Sequence, residues 1–247
     1  MDFTNKVALV TGASKGIGAA IAYDLASHKC NIAINYNSSE DEAKELQKEI
    51  MSKFGVKVIT VKCDISDENE VKDMVDTVMK KFGKIDILVN NAGIAIDTLV
   101  EDKTVSDFRK TLDVNLIGTF ITSRAVGDYM LKNGSGKMIN IASTNGIDTY
   151  YPYSLDYDAS KAGVISLTHN LAEYYKPYIT VNAVAPGWVN TPMNKELDKD
   201  YIKDECKKIM LGRFADPIEI AKVVTFLASE NSNYINNTVI RVDGGER

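Results

Sequence analysis

Short apolar runs rich in β-branched residues alternate with longer amphipathic stretches along the chain, and this alternation constrains the fold more than any other feature. The runs are 7–10, 31–35, 56–61, 87–90, 137–141, 179–184 and 238–242. Helical patterns lie between them, at about 16–28, from 39 onward, and at 67–82, 157–175 and 217–228. Such alternation makes βαβ crossovers, which set neighbouring strands parallel and cover both sheet faces with helices. Runs that are apolar almost throughout agree with burial on both sides. The reading is an α/β, single-domain fold over residues 1–247, with a seven-stranded, mostly parallel, doubly wound sheet. No repeat, low-complexity tract or linker divides it, and open α/β sheets commonly reach this length as one unit. Ligands of such sheets bind at the carboxyl ends of the strands, near the reversal of strand order.

The first run leads directly into Thr11-Gly12-Ala13-Ser14-Lys15-Gly16-Ile17-Gly18, where a helix opens. Gly12 suits a tight turn, Gly16 lets a pyrophosphate approach the backbone, and Gly18 lets helix and strand pack closely. The new helix offers free N–H groups and a positive dipole end. The spacing is GxxxGxG rather than GxGxxG, and a glycine-rich turn that binds nothing is the plain alternative. The second run ends in Asn35-Tyr36-Asn37-Ser38-Ser39, with no carboxylate before Glu40 to meet a ribose 2′-hydroxyl. Together with Lys15, this favours NADP(H) over NAD(H) as the cofactor. The third run leads to Cys63-Asp64-Ile65, where Asp64 either faces the adenine or caps the next helix. The fourth ends in Asn90-Asn91-Ala92-Gly93, either a close backbone approach to cofactor or a simple turn.

Composition removes other classes. Basic residues number 29 against 34 acidic, a net charge of −5, so neither a nucleic acid nor an acidic membrane surface is an expected partner. The three cysteines, Cys30, Cys63 and Cys206, are scattered, and His28 and His169 are the only histidines. No metal site, no Ser-His-Asp triad and no disulfide framework is expected, which fits a reducing cytoplasmic setting. No apolar run approaches membrane-spanning length, and the first residues lack a signal-peptide pattern.

Among twelve tyrosines, Tyr157 alone has a lysine four residues on, Lys161. Residues i and i+4 share a helix face, and a nearby cation favours phenolate and lowers a tyrosine pKa. Such a phenol can pass a proton to a carbonyl oxygen as hydride arrives. Ser143 follows the fifth run and can hydrogen-bond the same oxygen. Asn115 lies inside a helical pattern, where its low propensity suggests a polar network. Taken singly, each has a bland alternative: a surface pair, a turn serine, a tolerated helix asparagine.

Taken together, these residues resemble the short-chain dehydrogenase/reductase family. The resemblance rests on TGASKGIG at 11–18, NNAG at 90–93, Asn115, Ser143, YDASK at 157–161 and Pro186-Gly187, all in family order. It implies a seven-stranded Rossmann sheet and a catalytic tetrad of Asn115, Ser143, Tyr157 and Lys161. It also implies that Lys161 binds the nicotinamide ribose, that Asn115 sustains a water-linked proton relay, and that Thr191, with Val189 nearby, meets the nicotinamide end. Within the family, KVALVTGASKGIG and FLASENSNYINNTVIRVDGG are most similar to the 3-oxoacyl-[acyl-carrier-protein] reductases. That likeness implies a homotetramer and a place in fatty acid biosynthesis.

Several positions depart from those reductases. Asp128 stands where a basic residue docks the carrier protein, and Lys176 occupies a second such place with shortened spacing. Asn37 replaces an arginine usual for NADP, and Asn236-Asn237 replaces Thr-Gly. The stretch 147–156 is unusually aromatic and precedes Tyr157, so it neighbours the substrate. Residues 188–211 read as a substrate lid, with Trp188, Met193 and Leu197 as candidate contacts, or as a plain surface hairpin. The expected activity is NADPH-dependent reduction of a 3-oxoacyl thioester, with acyl carrier protein as a partner. The alternatives are another small ketone or alcohol (sugar, polyol or steroid) and a nucleotide-binding sensor that has lost the reaction.

Overall fold

The computed structural model describes residues 1–194 and 197–246, without the side chain of Met193. Seven strands form one sheet: β1 Val7–Val10, β2 Asn31–Tyr36, β3 Val58–Lys62, β4 Ile87–Asn90, β5 Gly136–Ile141, β6 Ile179–Pro186 and β7 Val239–Val242. Their order is β3-β2-β1-β4-β5-β6-β7, and every ladder between them is parallel. The chain therefore moves outward from β1 to β3, then returns to lay β4 on the other side of β1. The crevice between β1 and β4 is the reversal at which ligands bind.

Among the described residues eight α-helices accompany the sheet: α1 Gly16–Ser27, α2 Glu40–Phe54, α3 Glu68–Phe82, α4 Val105–Leu112, α5 Gly118–Asn133, α6 Leu155–Tyr175, α7 Lys199–Lys208 and α8 Pro217–Ala228. Side chains of β1 alternate between two cores, as strand geometry requires. Ala8 and Val10 pack with Ile21 and Leu25 of α1 and Val224 and Leu227 of α8. Val7 and Leu9 pack with Met74 and Val78 of α3, Met130 of α5 and Tyr175 of α6. Both faces are thus buried, which explains why the strands are apolar throughout.

Local chemistry sets the element ends. Helices α2 and α3 stop at Gly55 and Gly83, with φ of +68° and +77°, where glycine carries no Cβ penalty. The α3 cap is Asp67, whose carboxylate accepts the Asn69 and Glu70 amides. Asp64 does not cap that helix. Asn115 lies in a π-helical turn, Asp113–Ile117, between α4 and α5 rather than in regular helix. The wider turn goes with a side-chain bond, since Thr119 Oγ1 donates to the Asn115 carbonyl at 2.8 Å.

Candidate active site

A cleft of about 550 Å³ opens at the carboxyl ends of the strands, across the β1–β4 reversal. Gly12, Ser14, Lys15, Gly16 and Ile17 line it, as do Asn37, Asp64 and Ile65. So do Asn91, Ala92, Gly93, Pro186, Gly187, Val189 and Thr191, together with Ser143, Tyr157 and Lys161. Of the residues singled out as catalytic or cofactor-binding, Gly18 and Asn115 alone stand behind the wall.

The glycine turn is held from below. Thr11 Oγ1 accepts the Asn91 and Ala92 amides at 2.9 and 3.1 Å, and Asn91 Nδ2 donates to the carbonyls of Thr11 and Gly12, both at 3.0 Å. Asn35 Oδ1 accepts the Gly12 amide at 3.0 Å, while its Nδ2 donates to the Cys63 carbonyl at 3.0 Å. Thr11 and Asn35 escaped the sequence reading, although an asparagine ending an apolar strand was a signal for Asn35. Gly18 has a packing role, because a Cβ there would lie 2.5 Å from both Asn91 Nδ2 and the Gly12 carbonyl oxygen.

The amino end of α1 fits a pyrophosphate. Lys15 precedes it in extended conformation without a side-chain cap, and its first turn holds no acidic residue. Its N–H groups and dipole therefore face the cleft uncompensated by protein. Gly16, at φ +61°, leaves this approach open, since a Cβ there would meet nothing nearer than 3.7 Å. Farther out, burial pushes the Asp64 carboxyl up, but hydrogen bonds from Ser66 and Asn37 prevail and hold it below the usual range. Asn37 Nδ2 donates to it at 3.2 Å. Asp64 is thus an ionised acceptor at this end of the cleft.

The candidate catalytic residues come together from β5 and α6. Lys161 is 4% exposed and its Nζ donates to the Ile141 carbonyl at 2.7 Å, at the end of β5. The same Nζ lies 5.5 Å from the Tyr157 ring centre. Ser143 follows β5, and its hydroxyl lies close enough to the Tyr157 phenol to pull the phenol's pKa down. The expected depression of Tyr157 by Lys161 is not what the surroundings produce. Burial pushes Tyr157 up to about 12, and Asp158 and Asp97 push the same way. Burial also pulls Lys161 down to about 8. The ammonium is directed at a strand carbonyl, and a low-dielectric pocket disfavours phenolate more than the Ser143 hydroxyl offsets.

Asn115 is 1% exposed and fully engaged. Its Oδ1 accepts the Ile94 amide at 2.8 Å, and its Nδ2 donates to the Ile94 carbonyl at 2.9 Å and Ser160 Oγ at 3.0 Å. Gly93 separates it from Lys161, for a Cβ at 93 would lie 3.2 Å from Asn115 Oδ1 and 3.6 Å from Lys161 Nζ.

The lid contacts need correction. Trp188 does not line the cleft; it stacks on Phe214, with centroids 5.2 Å apart, and meets the Tyr201 edge of α7 at 6.0 Å. Leu197 also stands off the cleft, and the Met193 side chain lies outside the described residues. Asn237 takes φ +60°, the conformation that glycine holds most readily and asparagine tolerates, which accounts for that departure. Among the described residues no cluster of three or more metal-ligating side chains exists, and no helix is long and apolar enough to cross a membrane.

Comparison with known proteins agrees with this geometry. A family model described as enoyl-(acyl carrier protein) reductase matches residues 12–246. The 3-oxoacyl-[acyl-carrier-protein] reductase FabG of Staphylococcus epidermidis is 41% identical over 242 residues, 98% of each chain. Glucose 1-dehydrogenase 2 of Bacillus subtilis is 36% identical over 248 residues, 99% of this chain and 95% of that one. The crystal structure of levodione reductase superposes with a TM-score of 0.94 at 34% identity, covering 98% of both chains.

Proposed function

The chain belongs to the short-chain dehydrogenase/reductase family, oxidoreductases of CH–OH and C=O groups that use a nicotinamide cofactor, and from that premise we propose an NADPH-dependent carbonyl reductase acting on 3-oxoacyl thioesters. The observation that carries this reading is the meeting of Ser143, Tyr157 and Lys161 in one cleft with the glycine turn. The α1 amino end with Gly12, Ser14, Gly16 and Ile17 holds the pyrophosphate, while Asp64 and Ile65 hold the adenine. Asn91, Ala92 and Gly93 support the cofactor backbone. Lys161 and Tyr157 hold the nicotinamide ribose, and Pro186, Gly187, Val189 and Thr191 the carboxamide. When bound, the nicotinamide supplies hydride to the substrate carbonyl carbon.

The remaining chemistry belongs to the chain. Ser143 hydrogen-bonds the substrate oxygen, and Tyr157 gives it a proton as negative charge develops there. A phenol pushed up to about 12 is fully protonated at neutral pH, the form a proton donor requires. With its pKa near 8, Lys161 is mostly protonated at pH 7 and near its own titration point, so it restores the phenol's charge balance after transfer. Asn115 steadies the Ile94 backbone and borders the Gly93 gap through which the relay to Lys161 runs.

Selectivity for NADPH is supported by Lys15 and by the lack of a carboxylate at 35–39. The FabG relatives support the thioester. Helix α7 is seated on Trp188 beside the cleft, and its closure over the substrate is part of this reading. The test is NADPH consumption with acetoacetyl-CoA, with NADH and Tyr157→Phe in parallel. Turnover with NADPH that the variant loses supports the reading; turnover retained by the variant overturns it.

A compact ketone is a second reading, favoured by one observation. The phenols of Tyr151, in the aromatic loop, and Tyr201, on α7, shift each other's titration, so loop and α7 are neighbours beside the site. A cyclic ketone reduced in preference to acetoacetyl-CoA would select it.

A further inference from the structure

Tyr157 is followed by a carboxylate, Asp158, whose oxygens receive only neutral donors. Asn145 Nδ2 donates to Oδ1 at 2.7 Å and Ser154 Oγ to the same oxygen at 3.3 Å, while the Tyr151 amide donates to Oδ2 at 3.1 Å. All three donors belong to the segment that runs from the end of β5 to the start of α6. Asp158 therefore ties that loop to the helix turn that carries Tyr157.

Asn145 is the consequential partner. An ionised carboxylate only accepts hydrogen bonds, so the amide –NH₂ of Asn145 must face Asp158. The amide oxygen is thereby turned toward Ser143, whose hydroxyl lies 3.4 Å from Asn145 Oδ1. The Asn145 backbone amide donates to the same hydroxyl oxygen at 3.2 Å. One lone pair of Ser143 is thus occupied by a fixed donor, and its proton faces a long, weak acceptor in Asn145 and the neighbouring Tyr157 phenol. That hydroxyl proton is free to turn toward a substrate oxygen. With the amide flipped, the –NH₂ would compete for the Ser143 oxygen and the arrangement would be lost.

We infer that Asp158 is a positioning residue for carbonyl reduction: by dictating the orientation of Asn145 it holds the Ser143 hydroxyl ready to donate to the substrate oxygen. The inference rests on the reading of Ser143 and Tyr157 given above. Asp158 touches neither substrate nor cofactor, so its influence passes through Ser143 and vanishes when that hydroxyl is absent.

The experiment is a mutant cycle on the full-length enzyme. Reduction of acetoacetyl-CoA and of ethyl acetoacetate by NADPH is followed for Asp158→Ala, Asn145→Ala, their double variant, and each in a Ser143→Ala background. Asp158→Asn serves if the alanine variant does not fold. Asp158→Ala and Asn145→Ala are each expected to lower kcat about 10-fold, less than the direct loss of an oxyanion donor, with KM nearly unchanged. The double variant falls no further, and neither change lowers the residual rate of Ser143→Ala. A further fall in the Ser143→Ala background overturns the proposal, since it reveals a general structural role. Amide hydrogen exchange over 143–151 needs no substrate, and unchanged protection in Asp158→Ala overturns the proposal independently. Full activity of Ser143→Ala overturns the reading of the site itself, a result distinct from either.

Discussion

Lys103 Nζ lies 2.9 Å from Asp156 Oδ1, with the two side chains 5% and 0% exposed, one residue before Tyr157. Thr111 Oγ1 donates to the other carboxylate oxygen at 2.6 Å, and Lys103 also reaches the Ile96 carbonyl. The pair joins the loop after β4, helix α4 and the first turn of α6. Breaking it from one side leaves an uncompensated buried charge, a cost of about 3–5 kcal/mol. Lys103→Met is expected to destabilise by that order in urea unfolding. The double variant Lys103→Met/Asp156→Asn recovers much of the loss, because no unpaired charge remains. If the double variant unfolds as readily as the single one, charge pairing is not the origin of the effect.

The same carboxylate sets an acid limit. Burial pushes Asp156 up, but hydrogen bonds from Thr111 and Lys103 prevail and hold it below its ordinary value. A group with a depressed folded pKa contributes stability above its unfolded pKa, near 3.8, and loses it as pH falls through the folded value. Wild-type stability therefore drops below about pH 4, and the Asp156→Asn variant loses this part of the slope. Urea midpoints between pH 3 and 6 for the two proteins measure the difference.

Lys161 carries the opposite balance. Burial holds its pKa near 8, below the ordinary 10.5, so the folded protein resists its protonation. That penalty is fully present below pH 8 and fades as pH rises toward 10.5, where the unfolded lysine also loses its proton. The shift corresponds to a penalty on the order of 3 kcal/mol at neutral pH. Lys161→Met removes it and forfeits one hydrogen bond to Ile141. The variant is expected to melt no lower than wild type at pH 7 while losing turnover. A large drop in Tm would show that the ammonium stabilises the fold, contrary to the burial argument.

The architecture was legible because strands and helices bury different faces and leave different periods. The bounds of β1, β4 and α8 follow directly from apolar runs closed by glycine, asparagine and a Pro-led helix start. The site was legible where a residue type is unusual in its place, as with Gly16 or the Tyr157–Lys161 pair. It was not legible where function depends on contacts between distant segments. Nothing local marks Lys103 as the partner of Asp156, 53 residues away. Trp188 read as a substrate contact because an aromatic beside a cleft and one beneath a lid look alike in sequence. The tyrosine pKa expectation failed for a related reason, since i,i+4 spacing fixes proximity but not burial.

The glycines of the turn are expected to fail in different ways. Gly16→Ala places a Cβ at ordinary contact distance, 3.7 Å from Thr191, but at φ +61°, which costs about 1–2 kcal/mol of backbone strain and crowds the pyrophosphate approach. Gly18→Ala instead drives a Cβ against Asn91 Nδ2 and the Gly12 carbonyl, where strand and helix meet. The first variant is expected to lose cofactor affinity more than stability, and the second to lose both. NADPH fluorescence titration beside thermal melts separates them. Equal losses of Tm in the two variants would contradict the assigned packing role of Gly18.

Selectivity between the two nicotinamide cofactors is expected to turn on Asn37. It lines the cleft and donates to Asp64 Oδ2 at 3.2 Å. An aspartate at 37 would repel a 2′-phosphate and offer an acceptor to a 2′-hydroxyl. It would also replace a donor to Asp64 with a like charge, which raises the Asp64 pKa and weakens its hold on the adenine. Asn37→Asp is therefore expected to weaken NADPH binding about 100-fold, while NADH binding gains less than that, because the Asp64 penalty falls on both cofactors. Lys15→Ala removes a cation without touching Asp64, so it weakens NADPH alone, by about 10-fold. Dissociation constants for both cofactors, measured by fluorescence at fixed ionic strength, test the pair. Equal weakening of NADPH and NADH by Lys15→Ala would place that lysine on the shared pyrophosphate rather than on the 2′-phosphate.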